Sequence, residues 1–270
     1  MTLIQTLLIA IIQGITELFP ISSVAHAVLT PFVFGWNLTP EFLKGNFLAF
    51  VVMLHLGTAV ALLIFFRRDW IDFVASLFDA RALAARRILA LLVVGTVPAA
   101  LIGLLFEKAL THLFASAVSA AFFLILNGVL LYFGEKMQGR GNREIQDLSF
   151  GQAFLIGLAQ ALALVPGFSR SGASMVAGFA AGLTHESAAR FSMLLATPII
   201  AGASILELPK LAHTGGNLFA RAALGGVVGG IVAYFAVWAL MNWFKRHEFN
   251  AMRPFAIYCW VMGAVILVLA

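Results

Sequence analysis

Six stretches of this chain are apolar over the length of a membrane crossing: residues 47–66, 87–106, 116–134, 188–207, 221–244 and 254–270. A helix needs about 20 mostly apolar residues to span roughly 30 Å of hydrocarbon. Backbone inside lipid must also satisfy its own hydrogen bonds. Together these constraints define the fold class as an all-α polytopic membrane protein. Composition agrees: apolar residues make up 62% of the 270 and charged residues 11%, against about 45–50% and about 25% in soluble domains. A soluble, a disordered or a nucleic-acid-binding protein is therefore excluded, and the net charge of +5 needs another explanation. The single cysteine, Cys259, excludes an internal disulfide and a cysteine-built metal cage. No Lys or Arg precedes the first apolar run and no small-residue cleavage pattern follows it, so the N-terminus reads as mature sequence.

Two further apolar stretches are interrupted. Residues 1–35 are broken by Pro20-Ile21-Ser22-Ser23, and residues 150–183 by Pro166-Gly167-Phe168-Ser169-Arg170-Ser171-Gly172. Each half is about 16 to 19 residues, short for a crossing. Irregular backbone at membrane depth survives where protein or a water-filled cavity covers it. The expectation is therefore six transmembrane helices plus two re-entrant helical hairpins. Eleven of the 17 Lys and Arg fall in three alternate loops: Arg67, Arg68, Arg81, Arg86 and Arg87; Lys136, Arg140 and Arg143; Lys245, Arg246 and Arg253. The opposite side holds Lys44, Lys108, Lys210 and Arg221. The positive-inside rule makes the first group cytoplasmic and explains the net charge.

The chain also resembles itself. Pro20 aligns with Pro166, Val93-Val94-Gly95 with Val227-Val228-Gly229, and Gly128 with Gly263. The reading is a single membrane domain over 1–270, with one repeat over about 1–135 and a second over about 150–270. An odd number of crossings per half makes these inverted-topology repeats, which place a site near the midplane at their interface.

A charge at a helix centre costs about 2.5–3.5 kcal/mol on insertion scales, yet each broken hairpin carries one, Glu17 and Arg170. In the first, Gln13 and Glu17 share a helix face at i, i+4. Pro20 ends that helix, Ser22 or Ser23 caps the next, and His26 follows one turn later. Plain capping explains a serine here, helix packing a histidine, and pairing with Arg170 the glutamate. In the second, glycines permit a sharp turn into a helix whose free N–H groups attract anions. Arg170 adds a planar donor suited to phosphate oxygens, and Ser169, Ser171, Gly172 and Ser174 complete the cradle. A small-residue packing turn explains the glycines and serines but not the arginine. His55, mid-way along 47–66, is a weaker candidate that either lines the same cavity or packs in the core. His112, His185, His213 and His247 read as surface residues near loops. Gly225, Gly226, Gly229 and Gly230 read as a close helix-packing face.

These motifs resemble those of the undecaprenyl-diphosphatase, or bacitracin-resistance protein, family. The matching residues are Gln13-x-x-x-Glu17, Pro20-Ile21-Ser22-Ser23-x-x-His26, Pro166-Gly167-Phe168-Ser169-Arg170-Ser171-Gly172-Ala173-Ser174, Phe191–Pro198 and Pro254–Tyr258. The resemblance spans essentially the whole chain. It implies hydrolysis of undecaprenyl diphosphate to undecaprenyl phosphate and inorganic phosphate, which recycles the lipid carrier for cell-wall synthesis. It further implies a multi-pass protein of the bacterial cytoplasmic (inner) membrane, an inverted-repeat helical bundle, and a homodimer. Three positions depart from the family pattern. Gln13 stands where many members have Glu, Ala25 where a Gly precedes the histidine, and Ser174 where a Thr closes the motif. The amide of Gln13 counts against a bound Mg²⁺ or Ca²⁺, which prefer carboxylate oxygens and would here find Glu17 alone.

The expected division of labour follows. Arg170, the helix N-terminus, Gln13, Ser22, Ser169, Ser171, Gly172 and Ser174 hold the polyprenyl diphosphate. Glu17, His26 and Ser23 handle proton and nucleophile. Three routes stay open at this point: attack by His26, by Ser23 with Glu17 or His26 as base, or by water. The competing class is a polyprenyl-phosphate carrier with transporter-like inverted repeats; it needs the cradle but no general base. The motifs of the acid-phosphatase-like lipid phosphatases are not found intact.

Overall fold

The structure, a computed structural model, describes residues 1–36, 47–111, 116–137, 141–212, 216–247 and 249–270. Lys44, His112, Arg140 and His213 lie outside them. The described chain is helical: α1 (Leu3–Thr16), α2 (Ser23–Val33), α3 (Phe47–Phe65), α4 (Arg67–Ser76), α5 (Leu83–Thr111), α6 (Ala117–Met137), α7 (Phe150–Gln160), α8 (Arg170–Ala180), α9 (His185–Ala212), α10 (Gly216–Arg246) and α11 (Arg253–Leu269). Short 3₁₀ turns precede and follow α7, at Ile145–Asp147 and Ala161–Leu164.

The sequence sets these boundaries by capping. Thr2 accepts from the Gln5 N–H while the Gln5 side chain accepts from the Thr2 N–H, which closes the start of α1. Ser149 and Gln152 repeat that box at α7. Pro20 and Pro166 fall in the breaks, where their missing N–H costs nothing. The four hairpin helices are shorter than the sequence suggests: 14 residues for α1 and 11 each for α2, α7 and α8.

Among the described residues, four helices are long and apolar enough to cross a membrane: Leu83–Leu105, Ala117–Met137, His185–Leu206 and Phe219–Arg246. A fifth crossing results if α3 and α4, bent by 74°, are counted as one span. The expected loop 67–87 therefore contains a helix. Phe66 ends α3 without continuing its axis, because Arg67 and Arg68 open a new, amphipathic segment. The last apolar stretch, expected over 254–270, forms the 17-residue helix Arg253–Leu269, about 25 Å at 1.5 Å per residue. Large apolar side chains remain exposed along these helices, among them Val227, Ile231, Phe235, Leu104 and Leu105. Such surface belongs against lipid.

Glycines bring the helices together. A methyl on Gly57 of α3 would fall 1.9 Å from the Gly226 carbonyl oxygen of α10. One on Gly157 of α7 would fall 2.1 Å from that of Gly95 on α5, and one on Gly14 of α1 would fall 2.5 Å from that of Gly229. The glycine face of α10 expected from sequence thus packs on α1 and α3.

Two histidines depart from expectation. His185 is buried at the start of α9, with Nε2 2.9 Å from Glu135 Oε1. Glu135 also accepts from the backbone N–H groups of Ala251 and Met252, so α6, α9 and the start of α11 meet on one carboxylate. His247 is partly buried, stacked on Trp243 with ring centroids 3.7 Å apart. Proximity to a loop in sequence hides both partners. Nearby, Arg87 donates to the carbonyls of Gln146 and Leu148, at 2.7 and 2.9 Å.

Candidate active site at the two helix breaks

Glu17 caps the C-terminus of α1 and is 7% exposed. Its oxygens gather groups from four helices, two of them at their first residues beside the breaks. Oε2 accepts from Gln13 Nε2 at 3.1 Å, from the Ser23 hydroxyl, and from His55 Nε2 at 3.0 Å. Oε1 accepts from Arg170 Nη2 at 3.2 Å. A buried carboxylate needs this many donors, since unpaired it is too costly to bury. His55, a weaker candidate from sequence, is therefore a member of the site. Its Nδ1 donates to the Val51 carbonyl at 2.8 Å, so both ring nitrogens face acceptors. That arrangement calls for a doubly protonated ring.

The first break is strained where it caps. Ser22 has φ 65° and ψ 96°, and its side chain accepts from the Ala25 N–H at 3.4 Å. A positive φ outside glycine costs about 1–3 kcal/mol and collects at functional sites. The twist leaves Ser22 as the cap and turns Ser23, the first residue of α2, back onto Glu17. His26 turns elsewhere. Its Nδ1 donates to the Ser22 carbonyl at 2.7 Å, and Nε2 lies 2.7 Å from the Tyr258 hydroxyl. In that pairing a neutral ring accepts the tyrosine proton, and the two rings stack at 5.7 Å.

The second break begins at Gly167, whose φ of 118° suits glycine alone. A methyl there would also lie 2.4 Å from Phe123 Cβ. Ser169 caps α8, accepting from the Gly172 N–H at 3.2 Å, and lies 3.0 Å from the Ser171 hydroxyl. Ser171 donates to the Phe19 carbonyl of the first break at 3.1 Å. Ser174, one turn in, donates to the Arg170 carbonyl at 2.8 Å and lies 2.7 Å from Ser192 Oγ. Its hydroxyl braces α8 against α9. Arg170 reaches Glu17 through Nη2 and the Ser192 carbonyl through Nη1 at 3.4 Å.

Two buried polar atoms at this place have no partner, Arg170 Nε and Gln13 Oε1. An unmet buried donor or acceptor costs about 1–3 kcal/mol. The orphaned guanidinium N–H sits beside the start of α8, where helix N–H groups already favour an anion. The donor set fits a divalent cation poorly. Glu17, already held by Arg170 and His55, is the one carboxylate in this arrangement and Gln13 offers only an amide oxygen beside it; no group of three or more His, Cys, Asp or Glu that could hold a metal ion occurs among the described residues.

The fold and the site define a helical membrane protein in which two helix breaks bring a buried carboxylate, a guanidinium and several hydroxyls together. The family described as bacitracin resistance protein BacA matches residues 6–265, and the chain belongs to that family. Among its curated relatives, the protein named undecaprenyl-diphosphatase 2 of Oenococcus oeni is 51% identical over 99% of this chain and 98% of its own. Undecaprenyl-diphosphatase 2 of Chromobacterium violaceum is 49% identical, with 98% of each chain covered. Undecaprenyl-diphosphatase of Granulibacter bethesdensis is 46% identical over 97% of this chain and 95% of its own.

Proposed function

We propose that this protein is a lipid diphosphatase that hydrolyses undecaprenyl diphosphate to undecaprenyl phosphate and inorganic phosphate, recycling the lipid carrier for cell-wall synthesis. The observation that carries the reading is the hydrogen bond from Ser23 to Glu17, set against Arg170 with its unmet Nε. A carrier needs the arginine and the helix N-terminus but has no use for a hydroxyl held on a buried carboxylate.

Of the three chemical routes, attack by Ser23 has the geometric support. Arg170 Nε, the Arg170 and Ser171 backbone N–H groups and the Ser169 hydroxyl hold the diphosphate, and Gln13 orients Glu17. Ser23 passes its proton to Glu17 as Oγ bonds to the terminal phosphorus. The bond from that phosphorus to the bridging oxygen breaks, and undecaprenyl phosphate leaves. Glu17 hands that proton to the departing phosphate, takes one from the water that attacks the phosphoserine, and returns it to Ser23 Oγ as inorganic phosphate forms. Positioning and electrostatics dominate phosphoryl transfer, and His55 and Arg170 supply the positive charge. His26, engaged with Tyr258, orders α2 in this scheme.

The same reading places α3, α5, α6, α9, α10 and α11 across the bacterial cytoplasmic membrane, with α1–α2 and α7–α8 as re-entrant hairpins of two inverted repeats. Matching capping boxes at Thr2 and Ser149, matching caps at Ser22 and Ser169, and matching buried glutamines at Gln13 and Gln160 support that duplication. A homodimer belongs to the same proposal.

The test is phosphate release from farnesyl or undecaprenyl diphosphate by purified protein in detergent. Arg170→Ala is expected to lower kcat by about 10³-fold or more. Glu17→Gln is expected to lower it by about 10²–10⁴-fold, the usual range for a lost base, and Ser23→Ala to abolish turnover. Near-normal hydrolysis by a folded Arg170→Ala protein would sink the assignment. Lipid binding without hydrolysis by the wild type would leave the carrier.

A further inference from the structure

Asn127 lies mid-way along α6, fully buried in an apolar run, and touches neither Glu17 nor Arg170 in the contacts described above. Its side chain nevertheless reaches both breaks. Nδ2 donates to the Pro20 carbonyl of the first at 2.9 Å, and Oδ1 accepts from the Ser169 N–H of the second at 3.0 Å. The second amide hydrogen points at Cys259 Sγ, 3.4 Å away. The partners fix the orientation of the amide, because a carbonyl can only accept and a backbone N–H can only donate. The neighbouring carbonyl, Phe19, is held by Ser171, and Gly172 lies close under Pro20. The two hairpins are therefore pinned to each other beside the Glu17–Arg170 contact, and one of the pins comes from a third helix.

We infer that Asn127 is a positioning residue for the reaction: it sets the register of the two hairpins and hence the placement of Ser23 and Glu17 relative to Arg170. This rests on the diphosphatase reading. Asparagine suits the role because one side chain must donate to one hairpin and accept from the other. Leucine has nearly the same shape and does neither. Aspartate accepts from Ser169 in either protonation state but donates to Pro20 only when it carries a proton.

The experiment measures kcat and KM for farnesyl diphosphate across a pH series, in wild type, Asn127→Leu, Asn127→Asp and Cys259→Ala. Thermal midpoints in detergent accompany each. Asn127→Leu is expected to lower kcat by about 100-fold, the scale of an ångström misplacement, with KM within about threefold. Its ratio to wild type stays flat with pH. The Asn127→Asp ratio falls as pH rises, because deprotonation removes the donor and sets a carboxylate against the Pro20 carbonyl. Cys259→Ala keeps wild-type turnover. A folded Asn127→Leu protein with kcat within about threefold of wild type overturns the inference. So does an Asn127→Asp ratio that ignores pH, which also covers the case in which the leucine variant does not fold. Failure of the diphosphatase reading looks different: the wild type itself then releases no phosphate.

Discussion

Glu17 is held by an amide, a hydroxyl, an imidazole and a guanidinium at once, and each removal has its own signature. His55→Leu takes away a charge-assisted hydrogen bond, worth about 1.5–3 kcal/mol. It is expected to lower both the thermal midpoint and, by tenfold or more, kcat; wild-type turnover in that variant would make His55 a packing residue. Gln13→Glu adds a second carboxylate beside Glu17. Stimulation by Ca²⁺ or Mg²⁺ is expected to become steeper than in wild type, read as phosphate release against free cation with a chelator baseline. Glu17 and Arg170 are legible in the sequence because charge in an apolar run is costly and each stands at a proline-marked break. His55, Ser192 and Tyr258 carry no local signal of that strength. Their partners lie far along the chain, and spacing reports only on neighbours within a turn or two.

At the scale of helices, the breaks were legible from Pro20, Pro166 and the serines that follow, and so was the glycine face of α10. The partner of that face was not, because small residues announce a close approach without naming what approaches. Gly57→Val is the sharp test. Its side chain has no room against the Gly226 carbonyl, so α3 and α10 must separate, and overpacking costs about 1–3 kcal/mol or more. The expected result is a lowered thermal midpoint in detergent; an unchanged midpoint would mean that α3 and α10 do not approach closely at Gly57 and Gly226. Gly167→Ala acts differently. It strains a backbone at φ 118° next to the start of α8, so activity is expected to fall by more than the loss of stability accounts for.

For the whole molecule, the apolar lengths establish a multi-pass protein, while the 74° bend at Phe66 parts α3 from the amphipathic α4 in a way that hydropathy cannot see. The Glu135 cluster is the other feature that emerges only at this scale, since its members come from three separate parts of the chain. Glu135→Gln keeps the shape and removes the charge that His185 and two backbone N–H groups share. The expected outcome is a thermal midpoint lowered by an amount equivalent to about 1.5–3 kcal/mol, with kcat near wild type at temperatures where the protein stays folded. A large loss of kcat without a change in midpoint would instead connect this end of the bundle to the chemistry.

The unmet Nε of Arg170 and Oε1 of Gln13 also make the resting protein a thermometer for its own ligand. A molecule that binds only the folded state raises stability by RT ln(1 + [L]/Kd), about 2.7 kcal/mol at a hundred times Kd. Pyrophosphate or a non-hydrolysable diphosphonate lipid should therefore raise the melting temperature of the wild type in proportion to the logarithm of its concentration. Arg170→Ala should melt at a temperature nearly indifferent to it. Occupancy would then be read from heat alone, without a turnover.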